Sequence, residues 1–469
     1  MEGMEIDTDL STQSLLLAAT NHDVPALRDL LRNTSANVQD SDTGYTPLHA
    51  AVAAFEPDTA DGEPAAAAAA FDNPEQQLHQ PAPAESDAAR SKSDEEERNA
   101  ELDKAAATVK LLMANGAIWN DLDNAGETPG CIAARLGLKD LYELFVDAGV
   151  RAELLLSRLD EYQILGGGDD ESDEEAENEE GFEMVEEEQQ QENGAAPASA
   201  SEDLAASGVV VEAAEKEGEE VENPDVKSAE YLASELTFTG DRLLDADKNG
   251  VMMAWETSIM QRSADLLLPK QGLRVLNVGH GMGIIDRIIQ EKQPAEHHII
   301  EAHPAVVKRM KEEGWMDKKG VVVHEGRWQD VVEKLVEQNI IFDAIYFDTF
   351  AEEYKALREF FSEYVIGLLD SEGRFGFFNG LGADRKVCYD VYTKVSKLTN
   401  YIITYVHKSS SNHHISLQIV EMELFEAGFD TEWEEIPIPD LDANGEWEGV
   451  RRKYWVLDTY RLPTCKFIG

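Results

Sequence analysis

The chain of 469 residues carries 94 acidic against 40 basic side chains, for a formal net charge of −54 and an isoelectric point near 4.4. That length predicts two or three domains with ample chain for a core, and that charge repels nucleic-acid backbones and membranes while attracting a basic partner such as an arginine-rich protein. With three cysteines without metal-ligand spacing, no apolar run approaching about 18 residues and an N-terminus lacking a basic-then-apolar segment, no disulfide framework, membrane span or signal peptide is expected, and a reducing compartment, cytoplasm or nucleus, fits.

The first 150 residues repeat internally. Leu27-Arg28-Asp29-Leu30-Leu31 is followed by Gly44-Tyr45-Thr46-Pro47-Leu48-His49-Ala50-Ala51, and Val109-Lys110-Leu111-Leu112 by Gly126-Glu127-Thr128-Pro129-Gly130-Cys131-Ile132-Ala133-Ala134. Proline suits a first helical turn because its missing N–H would be unpaired there anyway. The pattern resembles the ankyrin repeat, with the Leu-His pair replaced by Gly130-Cys131 in the second copy. It places ankyrin-like repeats at residues 1–55 and 104–160, a small all-α module. Residues 56–103, with a six-alanine tract at 65–70, several prolines and a charged patch, read as a disordered insertion. Residues 165–227, acidic and rich in Ala, Glu and Gln, read as a disordered linker.

From residue 228 to 469 strands and helices alternate, which predicts an α/β domain with a mostly parallel sheet. Strands are expected at 274–278, 298–301, 321–323, 344–347 and 373–378. Two more, 431–436 and 454–457, lack a helix between them and suggest a final antiparallel hairpin. Seven strands with that ending suit the methyltransferase variant of the doubly wound, Rossmann-like fold better than the plain dinucleotide fold.

Val278-Gly279-His280-Gly281-Met282-Gly283 closes the first of these strands, Glu301 the second, and Asp348 follows the fourth. A strand, a glycine turn, a helix and a second strand ending in an acid make a nucleotide-cofactor pocket. Glu301 is placed to accept hydrogen bonds from two ribose hydroxyls; the alternative is a solvent-exposed acid. A diphosphate cofactor and S-adenosylmethionine both offer that ribose, and the surrounding carboxylates favour the cationic sulfonium of the second.

Asp245-Ala246-Asp247-Lys248-Asn249-Gly250, with Glu256 beyond it, matches a calcium-loop pattern. No second loop exists and the preceding Thr237-Phe238-Thr239-Gly240 is unlike an entering helix, so a plain turn is the better reading. Glu256 could be an ordinary helix-surface acid, and Asp348 a cap for a helix beginning near Glu352. His297, His298, His413 and His414 read as surface or loop histidines, Trp315 and Trp447 as packing residues.

Val251-Met252-Met253-Ala254-Trp255-Glu256-Thr257-Ser258-Ile259-Met260, then the glycine turn, Ile299-Ile300-Glu301, Gly326-Arg327-Trp328-Gln329-Asp330-Val331 and Tyr346-Phe347-Asp348-Thr349-Phe350, resemble the guanidinoacetate N-methyltransferase family in its order of motifs. Joined to ankyrin-like repeats, the architecture is similar to the fungal type IV protein arginine methyltransferases. The resemblance implies S-adenosylmethionine as cofactor, no metal, and monomethylation of the delta nitrogen of arginine in a basic or ribosomal protein, with the repeats as a docking surface. It implies neither direct nucleic-acid nor membrane binding, and a monomer. Carried over, Gly279 and Gly281 would line the methionine moiety, Glu301 would hold the ribose, and Gly326, Arg327 and Trp328 would border the adenine. Met252, Trp255, Met260, Val278, Met282, Gly283, Ala302 and Asp348 would complete the cofactor pocket. Glu256 and Asp348 would grip the guanidino group. Where the family often has an aromatic residue after the first glycine, this chain has His280. Two alternatives stay open: a small-molecule guanidino methyltransferase, and an ankyrin scaffold with an inert methyltransferase domain.

Overall fold

The computed structural model describes residues 2–57, 85–166, 228–393 and 419–469. The chain divides into one unit of Met1–Leu159 with Val226–Gly469 and another of Asp160–Asp225. The alanine tract, the acidic run and residues 167–227, together with His413 and His414, lie outside the described residues.

The N-terminal module is helical: α1 (Glu2–Thr20), α2 (Val24–Leu30), α3 (Pro47–Ala53), α4 (Glu85–Ala114), α5 (Pro129–Arg135) and α6 (Lys139–Gly166). Two helices start on the same chemistry. Thr46 and His49 cap each other, the His49 Nδ1 accepting the Thr46 N–H at 3.1 Å, and the Thr128 hydroxyl accepts the Cys131 N–H at 3.1 Å. Because His49 Nδ1 is an acceptor, its Nε2 carries the proton and donates to the Glu127 carbonyl at 3.1 Å. That bond ties the first threonine-proline turn to the second. Leu15, Leu27, Leu48, Val109, Leu112, Ile132 and Phe145 form the fully buried centre.

Helix α4 corrects the expectation for part of the insertion. It begins at Glu85, so residues 85–103 are helical where composition suggested no structure. Leu102, Ala105, Val109 and Leu112 recur at helical spacing and pack on the module's core. The charged run ahead of them simply extends the same helix, being built of good helix formers.

After α7 (Ser228–Ala233), a small antiparallel sheet forms from β1 (Thr237–Phe238), β2 (Arg242–Leu244) and β3 (Gly250–Met253). The calcium-loop match is the β2–β3 turn. The Asp245 carboxylate accepts the N–H groups of Asp247 and Asn249 at 3.0 and 2.8 Å and the Asn249 amide at 2.9 Å. Strands, rather than helices, flank it.

The main sheet follows: α8 (Thr257–Leu267), β4 (Arg274–Val278), α9 (Ile284–Glu291), β5 (Glu296–Glu301), α10 (Pro304–Glu312), β6 (Val321–Glu325), α11 (Trp328–Glu337), β7 (Phe342–Phe347), α12 (Tyr354–Glu359), α13 (Val365–Leu368), β8 (Leu369–Phe377), α14 (Lys386–Thr393), α15 (Ile419–Glu426), β9 (Phe429–Pro437) and β10 (Thr459–Phe467). Its seven strands run β6-β5-β4-β7-β8-β10-β9. The pairs from β6 to β8 are parallel, and β10 is antiparallel to both neighbours. The order reverses between β4 and β7, the switch point at which doubly wound sheets bind ligands.

The antiparallel ending is present, but its last strand is Thr459–Phe467 rather than 454–457. Pro463 disguised the strand, since proline has no N–H for a ladder. It lies opposite Trp433, while β10 meets β8 at Cys465↔Phe375. Tyr454 and Trp455 instead pack from a loop onto Trp255, Tyr389 and Tyr460.

The helical module and the sheet domain share a core. Val387, Cys388 and Val391 of α14 and Ile419 of α15 belong to the same buried cluster as Phe145 and Val146. Gly130 and Gly149 permit this approach: a Cβ on either would stand 2.8 or 2.6 Å from a methyl of Val387 or Val391. Among the described residues no helix is long and apolar enough to cross a membrane.

Candidate active site

The turn from β4 to α9 is fixed by close approach. Gly279 has φ +94°, and a Cβ there would sit 1.8 Å from the Asp348 carbonyl oxygen, so the turn meets the end of β7 only without a side chain. Gly281, at φ +53°, faces Met252 of β3, whose Cε would be 2.8 Å from an added Cβ. Every N–H from Gly279 to Gly283 is used internally. Gly279 donates to the Ile300 carbonyl at 2.9 Å and Gly283 to the His280 carbonyl at 2.6 Å. Met282 donates to the Met252 sulfur at 3.2 Å. The His280 and Gly281 N–H groups donate to Glu301 Oε2 at 2.9 and 3.3 Å. A diphosphate would need such N–H groups free; here they are directed at a carboxylate.

Glu301 therefore anchors the turn. Its Oε1 also accepts the His303 N–H at 2.6 Å. Of the roughly four lone-pair positions a carboxylate offers, three are taken. Binding both hydroxyls of a ribose requires the long Gly281 bond to yield.

Behind the turn lies a buried network. Asp286, wholly buried, accepts from His280 Nδ1 at 2.6 Å and from the Asn277 amide at 2.9 Å, and its Oδ1 lies 3.0 Å from His297 Nε2. Burial alone would raise the Asp286 carboxyl, but His280 and His297 outweigh it and hold it well below the usual range. Gln290 donates to His297 Nδ1 at 2.8 Å, which leaves the His297 proton on Nε2, toward Asp286. The expectation that His297 and His298 are surface residues is wrong. Strand β5 starts earlier than the sequence suggested, so both are buried in the sheet, and burial pushes His298 down to about 4. Trp315 packs edge-on against His280, and Trp447 against Tyr454; both are packing residues.

Asp348 follows the strand end that meets Gly279, and Glu256 follows β3, whose Met252 meets Gly281. Glu256 ends a single turn of 3-10 helix after β3 and is 3% exposed, so it is no surface acid. Its Oε1 accepts the Met253 N–H at 3.2 Å and the Tyr454 hydroxyl. Burial, then the charge of Asp348, push it up to about 8. Asp348 follows β7, its backbone N–H bonded to the Val278 carbonyl at 2.8 Å. Its side chain caps no helix, because the cap of α12 is Glu353. Its Oδ2 is buried without a partner. Burial, then the charge of Asp286, push Asp348 up to about 7. The two acids raise the proton affinity of one region, and Tyr346, Tyr454 and Tyr460 feel both charges.

The other expected site residues divide into two groups. Met252, Met260, Met282 and Val278 are buried around the turn, and Trp255 stacks on Tyr454 at 6.0 Å. Ala302 and Gly326 line a cleft at the ends of β5 and β6. Arg327 is exposed at the start of α11. Trp328 is buried among Phe347, Phe360 and Tyr364 and donates to Glu352 at 3.0 Å, so it is a core residue and does not line the cleft. Sequence reasoning missed two residues. Tyr454, which bonds Glu256, lay inside a presumed strand. Tyr231 of α7 packs on His303 and Phe350 and feels the charges of Glu301 and Asp348. Only its aromatic ring in an otherwise polar segment hinted at burial.

Strand order, glycine turn and acids at the switch point define a Rossmann-like domain of the methyltransferase class. The family model for guanidinoacetate N-methyltransferase matches residues 221–427. Proteins named protein arginine N-methyltransferase 2 match nearly the whole chain. That of Aspergillus fumigatus is 53% identical over 98% of this chain and 97% of its own length, and that of Neurospora crassa 44% identical over 97% and 96%. That of Yarrowia lipolytica is 38% identical over 78% and 80%. An S-adenosylmethionine dependent methyltransferase from Mesorhizobium loti, 17% identical, covers 45% of this chain and 97% of its own with a TM-score of 0.29. The chain belongs to the protein arginine N-methyltransferase 2 family.

Proposed function

We propose that this chain is an S-adenosylmethionine-dependent protein arginine methyltransferase that monomethylates the delta nitrogen of an arginine side chain in a basic protein. The observation that carries the reading is the pair of acids, buried Glu256 and half-buried Asp348, pushed up to about 8 and 7 beside a glycine turn whose N–H groups are already spent. Such a pocket lacks a phosphate cradle and has an excess of carboxylate, which suits a sulfonium cofactor and a guanidinium substrate. The unpartnered Asp348 Oδ2 is an acceptor in need of a donor.

S-adenosylmethionine supplies an electrophilic methyl group when bound. Glu301 would hold its ribose, Gly281 and Met252 would bound the methionine end, and Ala302 and Gly326 the base. Glu256 and Asp348 accept paired N–H bonds from the planar guanidinium and fix its orientation. Alignment of the nitrogen is the main contribution to rate. Asp348 takes the proton that the nitrogen loses on alkylation, since a carboxyl near 7 is well matched to that task.

The ankyrin-like reading of the helical module rests on its capped threonine-proline turns, and a docking role for a ribosomal or other basic protein rests on the net charge. A type IV, monomeric enzyme of cytoplasm and nucleus fits the family. Radiolabelled S-adenosylmethionine is offered to arginine-containing proteins and to guanidinoacetate, and the product is fragmented by mass spectrometry. Label in protein, with losses diagnostic of the internal nitrogen, is expected. Label in guanidinoacetate alone would establish the small-molecule reading, and no label in either, with cofactor bound, the inert scaffold.

A further inference from the structure

The helical module reaches the pocket through one continuous set of polar contacts. The Tyr142 hydroxyl of α6 donates to Asp390 Oδ2 of α14 at 2.5 Å. The other oxygen of Asp390 accepts from Arg461 Nη2 of β10 at 2.6 Å, and the Arg461 guanidinium lies 4.9 Å over the Tyr389 ring. The Tyr389 hydroxyl accepts the Arg461 N–H at 2.8 Å and the Asn379 amide at 3.2 Å. The same amide reaches the Arg461 carbonyl at 3.0 Å, and the Asn379 N–H donates to Tyr460 at 2.8 Å. Asn379 leaves the end of β8 directly after Phe378, whose N–H bonds the Phe347 carbonyl of β7, one residue before Asp348.

Asp390 is 2% exposed. Burial would raise its carboxyl, yet Lys386, Arg461 and Tyr142 together hold it below the usual range, so it stays charged between two modules. A buried, satisfied ionic network defines geometry more than it adds stability. Elsewhere across the junction the Tyr392 hydroxyl of α14 donates to Glu153 of α6 at 3.0 Å, and Val387 and Val391 pack against Gly130 and Gly149; the contacts of Asp390 are the ones that run on through Arg461 to β10 and Asn379.

We propose that Asp390 is a positioning residue, through which the N-terminal helical module fixes the β7–β8 wall that carries Asp348. The module is then part of the catalytic apparatus rather than a detachable platform. The catalytic half of this statement rests on the methyltransferase reading above; the structural half does not.

The test uses the full chain with Tyr142→Phe and Asp390→Asn, and Arg135→Ala as a control that breaks an ion pair inside the module. Hydrogen exchange is followed at residues 377–382 and in β4 and β5, alongside kcat, KM and calorimetric affinity for adenosylhomocysteine. Both test variants should speed exchange at 377–382 by about tenfold, leave β4 and β5 unchanged, and lower kcat about tenfold with cofactor affinity held within about twofold. Arg135→Ala should do none of this. Tyr142→Phe deletes a single oxygen and keeps the test decisive if Asp390→Asn does not fold. Unchanged exchange at 377–382 in the folded variants would overturn the proposal, as would equal loss of protection throughout the sheet. If the wild-type chain transfers no methyl group, the catalytic reading fails by itself and the exchange result alone decides the structural half.

Discussion

With no cation bound, Glu256, pushed up to about 8, holds its proton at pH 7, and Asp348, near 7, is divided between its two forms; a guanidinium or sulfonium beside them favours the charged carboxylates. Each folded-state value lies above that of the unfolded chain. The folded protein therefore keeps protons that the unfolded chain releases. This contribution to stability is complete below about pH 4 and is lost as pH rises through 7 and 8. Glu256→Gln removes the buried charge, so its melting temperature should exceed that of the wild type by a few degrees at about pH 9 and not at about pH 5, as scanning calorimetry would show. Turnover should move the opposite way, falling by about 100-fold or more in both Glu256→Gln and Asp348→Asn with cofactor affinity nearly intact. Near-normal turnover in both would remove the two-carboxylate model. Glu301→Ala has a different signature. It deprives three N–H groups of their acceptor and, on the proposed function, the ribose of its partner, so calorimetry should find adenosylhomocysteine affinity reduced by about 100-fold or more.

The elements around the site depend on a few approaches that tolerate no added atom. Gly279→Ala puts a methyl carbon onto the Asp348 carbonyl and forces β4 and β7 apart where they converge on the pocket. We expect loss of cofactor binding, and crystals or exchange data should locate the damage at the β4–α9 turn. The turn was legible in the sequence because glycine spacing after an apolar run has few other uses. Strands β4 and β7 were legible from continuous apolar residues buried on both faces. Strand β10 was not, since Pro463 breaks the local pattern and its pairing with β9 is a contact between segments that sequence does not align. Tyr454 was misread for the related reason that aromatic residues in an ordered loop have the composition of a strand. The histidines of β5 looked like surface groups because their partners, Asp286, Gln290 and His324, lie on other elements.

At the scale of the whole molecule, the module and the sheet domain share one buried cluster across α14. Calorimetry should therefore record a single cooperative transition for the two. Gly149→Leu, which drives a side chain into Val391 and Trp119, should lower it by several degrees or split it in two. Composition, segment spacing and motif order determined from the sequence alone that the chain is acidic and that an α/β domain with a methyltransferase order of motifs fills its C-terminal half, and they singled out Glu256, Glu301 and Asp348 as candidates for a cofactor site. These are properties of short segments, each read within its own window. Only the tertiary structure decided that the N–H groups of His280 and Gly281 are taken by Glu301, that Asp286 meets His280 and His297, and that Tyr142 and Arg461 share Asp390. Those facts arise where distant segments exclude water together, and no local pattern encodes which groups will meet there.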